Sequence, residues 1–267
     1  MKKAILGLLL CLLALQGAQA DMMLSPLRQV ITAQTPNASF DISNPSDRML
    51  EGRISWIDLT ATETGYAPAT IDERPTLSAA PYLVISPAQF RLEPGGHVEI
   101  TVRLKDGVVI PKGERRSHLL VETAATRTPI RKASNSGLQV DIGLGVSAPV
   151  ILRSGGGDAK AEIGETKLVR DKNGLLSLET SIIPGGVRSS YGRIAVFFEA
   201  FNSSNGKRLL GVRENVAGFL DAPSRKVETP LGFGSLEAGE LTVRYEGAAE
   251  YDGRIFDMRS FEIATPE

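Results

Sequence analysis

The sequence predicts an all-β fold built as two sandwich domains, and three observations carry that reading. Apolar and polar residues alternate at period two, turn-forming clusters separate the alternations, and one run of glycines breaks the chain near its middle. Successive strand side chains point to opposite faces, so a period of two is what a half-buried antiparallel strand writes into its sequence.

The alternations recur along the chain. Phe40 and Ile42, Ile54 and Trp56, His97 through Leu104, and Leu241 through Tyr245 all follow the period. Between them stand Asn44-Pro45, Glu93-Pro94-Gly95-Gly96, Pro111-Lys112-Gly113, Asn173-Gly174, Pro184-Gly185-Gly186 and Asn205-Gly206. Proline presets φ for a turn and glycine supplies positive φ, so short alternations between such clusters read as a sandwich. No stretch of helical period stands out beyond the first twenty residues.

Arg153-Ser154-Gly155-Gly156-Gly157-Asp158 is the break. Three successive glycines have no side chains to pack and much backbone entropy to lose, which suits a linker. The expected organisation is a first domain over residues 21–153, a linker at 154–158 and a second domain over 159–267. The halves hold about 130 and 110 residues, each a usual size for a seven-stranded sandwich.

Residues 1–20 predict export. Lys2 and Lys3 precede an apolar stretch from Ala4 to Leu15, and Ala18-Gln19-Ala20 is a small-x-small cleavage site. That is the layout of a signal peptide, so the mature chain is expected to begin near Asp21. Cys11, the single cysteine, falls inside the segment to be removed, and Leu10 before it does not fit a lipoprotein site. Burial and not disulfide bonding must therefore hold the mature chain together.

Composition narrows the function. A formal charge of −1 does not suit a broad electrostatic partner, so no nucleic acid is expected. No later stretch is apolar enough to span a bilayer, so the mature chain is read as not membrane-embedded. The two histidines, His97 and His118, sit in strand-like alternations without the spaced partners that a metal site needs. There is no Gly-x-Ser-x-Gly, no His/Cys cluster and no phosphate loop, since Gly155-Gly156-Gly157 lacks the following Lys-Ser/Thr. The expectation is a protein that is not an enzyme, with no catalytic residues, no cofactor and no metal.

One strand stands apart. From Leu138 the chain places Leu138, Val140, Ile142, Leu144, Val146 and Ala148 on one face, with Gln139, Asp141, Gly143, Gly145 and Ser147 opposite. At about 3.3 Å per residue such a row is longer than the usual strand of about five or six residues. It either fills its own core or lends its apolar face to another protein. The preceding loop, Ala125 to Gly137, carries Arg127, Arg131 and Lys132 and suits a segment that orders when a partner arrives.

A set of ordered motifs resembles the periplasmic pilus-assembly chaperones of the chaperone–usher pathway (PapD-like proteins). They are Ser25-Pro26-Leu27-Arg28-Gln29-Val30, Ser39-Phe40-Asp41-Ile42-Ser43-Asn44, and Ser86-Pro87 through Leu92-Glu93-Pro94-Gly95. Gly113-Glu114-Arg115-Arg116-Ser117-His118-Leu119 is similar to that family's approach to its sixth strand. Gly145-Val146-Ser147-Ala148-Pro149-Val150-Ile151-Leu152-Arg153 and Ser190-Tyr191-Gly192 look most like its archaic branch. The resemblance implies two immunoglobulin-like β-sandwich domains and a place in the periplasm. It also implies pilus or fimbrial subunits and an outer-membrane usher as partners.

The resemblance further implies a mechanism. Pilus subunits lack their last strand, and the chaperone's seventh strand fills the groove with alternating side chains. The groove-filling residues would be Leu138, Val140, Ile142, Leu144 and Val146. In the classical family two basic residues anchor the subunit's terminal carboxylate. Arg28 matches the first, while the second is missing, since the aligned positions hold Ser147 or Leu144. Arg116 or Arg153 could compensate, the alternative for each being an ordinary strand-end or linker charge. The competing reading is a structural pilus subunit or a surface adhesin, but a subunit should lack its seventh strand, and here all seven are expected.

Overall fold

A computed structural model describes residues 22–123, 145–202 and 206–264. The segment read as a signal peptide lies outside them, as do Leu138, Val140, Ile142 and Leu144. Strand is the dominant element of the described residues, with helix confined to single turns at Arg74–Leu77, Ala80–Tyr82 and Ala249–Tyr251. In chain order the strands are β1 (Met23–Ser25), β2 (Gln29–Ile31), β3 (Asn37–Ser43), β4 (Leu50–Ile57), β5 (Leu59–Ala61), β6 (Tyr66–Pro68), β7 (Leu83–Ser86), β8 (Gln89–Leu92) and β9 (His97–Leu104). They continue as β10 (Gly113–Thr123), β11 (Gly145–Ser154), β12 (Ala159–Arg170), β13 (Leu176–Gly186), β14 (Ser190–Ala200), β15 (Arg208–Gly218), β16 (Arg225–Pro230), β17 (Gly239–Gly247) and β18 (Ile255–Ile263).

The fold divides into two compact units that interleave in sequence. One comprises residues up to Trp56, Ala80–Val108 and His118–Val150; the other comprises Ile57–Ala79, Val109–Ser117 and the residues from Ile151 onward. This grouping differs from the one division at residues 154–158 that the glycine run suggests. It cuts β4, β10 and β11 internally. The glycine run itself stands just inside the second unit, with Gly155 at φ +76° and Gly157 at φ +147°, a backbone that favours glycine.

The first unit carries the sheet β1-β3-β9-β7 and those parts of the sheet β2-β11-β10-β4-β8 that fall within its residues. In β3 the alternation is complete, with Ala38, Phe40 and Ile42 buried between exposed neighbours. Phe40 pairs with Ile100 and Ala38 with Val102 on β9, so the buried faces of the two strands coincide. Leu92, Leu119, Val121, Ala148 and Val150 give the second sheet its own buried face. Two sheets with one apolar face each make a sandwich. The Asn44-Pro45 and Pro94-Gly95-Gly96 turns are locked to one another. Buried Asn44 donates through Nδ2 to the carbonyls of Arg48 at 2.7 Å and Glu93 at 3.1 Å, and its own carbonyl accepts from Gly95 N–H at 2.8 Å.

The second unit pairs the sheets β12-β13-β16 and β15-β14-β17-β18. One cluster joins them, with Ile163, Leu178, Ile182 and Val227 from the first sheet and Ile194, Val196, Phe198, Val243 and Tyr245 from the second. Tyr245 is fully buried, and its hydroxyl lies 3.0 Å from both Ser190 Oγ and the Val216 carbonyl, so its polar end is satisfied. Within Ser190-Tyr191-Gly192 only glycine fits the last position, because a Cβ there would collide with the Glu246 carbonyl. The hairpin β5-β6 belongs to this unit and is tied to residues 221–226. Ala61 N–H donates to Asp221 at 2.7 Å, Lys226 N–H donates to the Glu63 carbonyl at 2.7 Å, and Lys226 Nζ meets the Glu63 carboxylate at 2.7 Å.

Candidate functional site

Of the five residues expected to fill a partner's groove, Val146 alone falls among the described residues. It opens β11, where Gly145 and Ser147 are exposed, Val146 is half-buried and Ala148 is buried. The period of two read from Leu138 onward therefore continues into a strand. In its sheet, β11 lies between β10 and β2. β2 is three residues long against ten for β11.

Arg28 precedes β2 in the first unit and is 9 % exposed. Arg116 lies on β10 in the second unit, and its guanidinium is already engaged. Nη1 donates to Asp221 Oδ1 at 3.1 Å, and Nη2 donates to Asp221 Oδ2 at 2.7 Å and to the Leu59 carbonyl at 2.9 Å. The Phe219 ring lies beneath it, with its centroid 3.9 Å from Cζ. This is a two-point clamp on a carboxylate stacked on an aromatic face, the arrangement for which a planar guanidinium is suited. Burial by itself would raise the Asp221 carboxyl. The hydrogen bonds and charge of Arg116, with the Ala61 N–H, outweigh that and hold it below the ordinary carboxylate value.

Arg153, the other arginine considered as a replacement anchor, is engaged too. It is 4 % exposed; Nε donates to Glu114 at 2.8 Å, Nη1 to Glu250 at 2.8 Å and Nη2 to the Ser189 carbonyl at 3.2 Å. Glu114 accepts in turn from Ser189 N–H at 3.2 Å. Burial would lower the guanidinium's pKa, but the facing carboxylates outweigh it and raise it above the ordinary value.

Sequence reasoning missed the acids that hold these arginines. Asp221 stands 105 positions from Arg116, and Glu250 stands 97 from Arg153. Neither pair has a local signal, since both are made by tertiary contact. His118 is buried on β10 and His97 is exposed on β9, both in strands as expected. Among the described residues no group of three or more His, Cys, Asp or Glu side chains could hold a metal ion. Nor is any described helix long and apolar enough to cross a membrane.

Solved structures to which the chain is similar include pilus-assembly chaperones, alone or in complex with a subunit. The YadV chaperone matches with a TM-score of 0.44 at 11% identity, over 91% of this chain and all of the other. The CsuC–CsuE chaperone–tip adhesion subunit complex from the archaic chaperone–usher Csu pili of Acinetobacter baumannii matches with a TM-score of 0.44 at 11% identity. That match covers 93% of this chain and 100% of the other. The Salmonella enterica SafA pilin in complex with the SafB chaperone gives 0.43 at 12% identity, over 92% and 98%. No family model matches the sequence, and no curated protein matches it.

Proposed function

We propose that this chain is a periplasmic chaperone that binds pilus subunits by donor-strand complementation and delivers them to an outer-membrane usher. The observation that carries the reading is β11. It continues an alternating apolar row, and its neighbour on one side is too short to pair along its whole length. A subunit lacking a strand would pair alongside this row and receive Leu138, Val140, Ile142, Leu144 and Val146 in its groove. Both the backbone and the apolar surface of the subunit would then be satisfied. This role needs neither catalysis nor a cofactor.

Arg28 is the residue we assign to the subunit's terminal carboxylate. Arg116 is also assigned to that carboxylate, which it would take by exchanging Asp221, since both terminal nitrogens of its fork hold Asp221. The usher and the cleaved signal segment complete the proposal.

The test is Ile142→Asp. The variant should fold as the parent does and lose co-purification of its pilus subunit, because a carboxylate cannot enter an apolar groove without a large desolvation cost. An Ile142→Asp chain that unfolds by itself assigns the row to the internal core and overturns the proposal.

A further inference from the structure

A small cavity in the second unit lies between the β5-β6 hairpin and the segment from Phe219 to Arg225. Its volume is about 40 Å³, and its lining includes Thr62, Gly65, Tyr66, Asn215, Phe219 and Arg225. That is several times the room one water requires. Arg225 Nη1 is buried and has no hydrogen-bond partner. A buried guanidinium N–H without an acceptor is costly.

Glu63 and Asp221 do not supply the missing acceptor. Glu63 is bound by Lys226 Nζ at 2.7 Å and by Ser224 Oγ at 3.0 Å. Asp221 is bound by Arg116 and by Ala61 N–H. Both carboxylates are thus engaged by other groups, and neither accepts from the buried Nη1 of Arg225. Asn215 lines the same cavity and spends its oxygen on the Tyr191 hydroxyl at 2.7 Å, so its amide NH₂ is its remaining polar end. Donors and positive charge without an acceptor call for an anion. The small volume suits a small one.

We propose that this cavity binds a small monovalent anion, chloride in size and charge, against the Arg225 guanidinium. The anion supplies the acceptor that Arg225 Nη1 lacks and ties the β5-β6 hairpin to the segment from Phe219 to Lys226. The site is independent of subunit binding.

Two measurements on the mature chain test it. Crystals grown or soaked in sodium bromide should show an anomalous peak within hydrogen-bonding reach of Arg225 Nη1. A water, or no density, at that place overturns the proposal. Thermal melting in sodium chloride against sodium gluconate at equal ionic strength should give a higher Tm in chloride, rising with concentration to saturation. Arg225→Gln should abolish the difference between the two salts. Equal Tm values for the parent chain, or a chloride effect retained by Arg225→Gln, refutes the site. If Arg225→Gln does not fold, the bromide measurement on the parent chain decides alone.

Discussion

Removing the Asp221 carboxylate should expose how much of the second unit's stability rests on one ion pair. In Asp221→Ala the Arg116 guanidinium stays where it is, with its side chain 4 % exposed, and loses two of its hydrogen bonds and its counter-charge. The Ala61 N–H loses its acceptor as well. Breaking a buried pair by removing one partner costs about 3–5 kcal/mol. Asp221 is 23 % exposed, so water recovers part of the loss and the low end, about 3 kcal/mol, is expected. For a chain of this size that is a fall in Tm of roughly 6–12 °C. Urea denaturation of the mature protein measures it, and replacing both partners, as in Arg116→Met with Asp221→Leu, should cost less than Asp221→Ala because no orphaned charge remains. A loss below about 1 kcal/mol for Asp221→Ala, the range of an exposed pair, would refute the argument. The pH dependence has a definite sign. The folded-state pKa is depressed, so the stabilisation is complete above the unfolded value of about 3.9 and disappears as pH falls through the folded value below it. The stability difference between parent and Asp221→Asn should therefore shrink as pH drops below about 4.

Two further outcomes follow from the geometry and the proposed function. Arg28→Ala should weaken subunit capture about tenfold or more, since a charge-assisted hydrogen bond contributes roughly 1.5–3 kcal/mol and about 1.4 kcal/mol is a factor of ten. Arg28→Lys should recover only part, and a binding titration with unchanged affinity for Arg28→Ala would show that this chain anchors its subunit otherwise. Limited proteolysis should cut first at Gly155–Gly157 or within residues 125–137, and mass spectrometry of the fragments checks it; first cleavage inside β12 to β17 would refute the linker assignment.

The all-β fold was legible because its signals are local. Ala38, Phe40 and Ile42 alternate in sequence and are buried in alternation, a consequence of strand geometry that needs no knowledge of distant residues. The turns at Asn44 and Gly95 were legible for the same reason, since proline and glycine restrict or free their own backbone dihedrals. The glycines of the 155–157 run also declared themselves, as two of them adopt positive φ.

Tertiary structure alone decided the rest. Residues 57–79 read as part of an unbroken first half, yet they group with the second unit through Asp221, Ser224 and Lys226, about 160 positions away. Arg116 and Arg153 read as spare cations, yet Asp221, Glu114 and Glu250 hold them. A charge announces its sign in the sequence but not its partner. Coulomb attraction acts through space within a few ångströms, and those distances exist only after the sheets have packed.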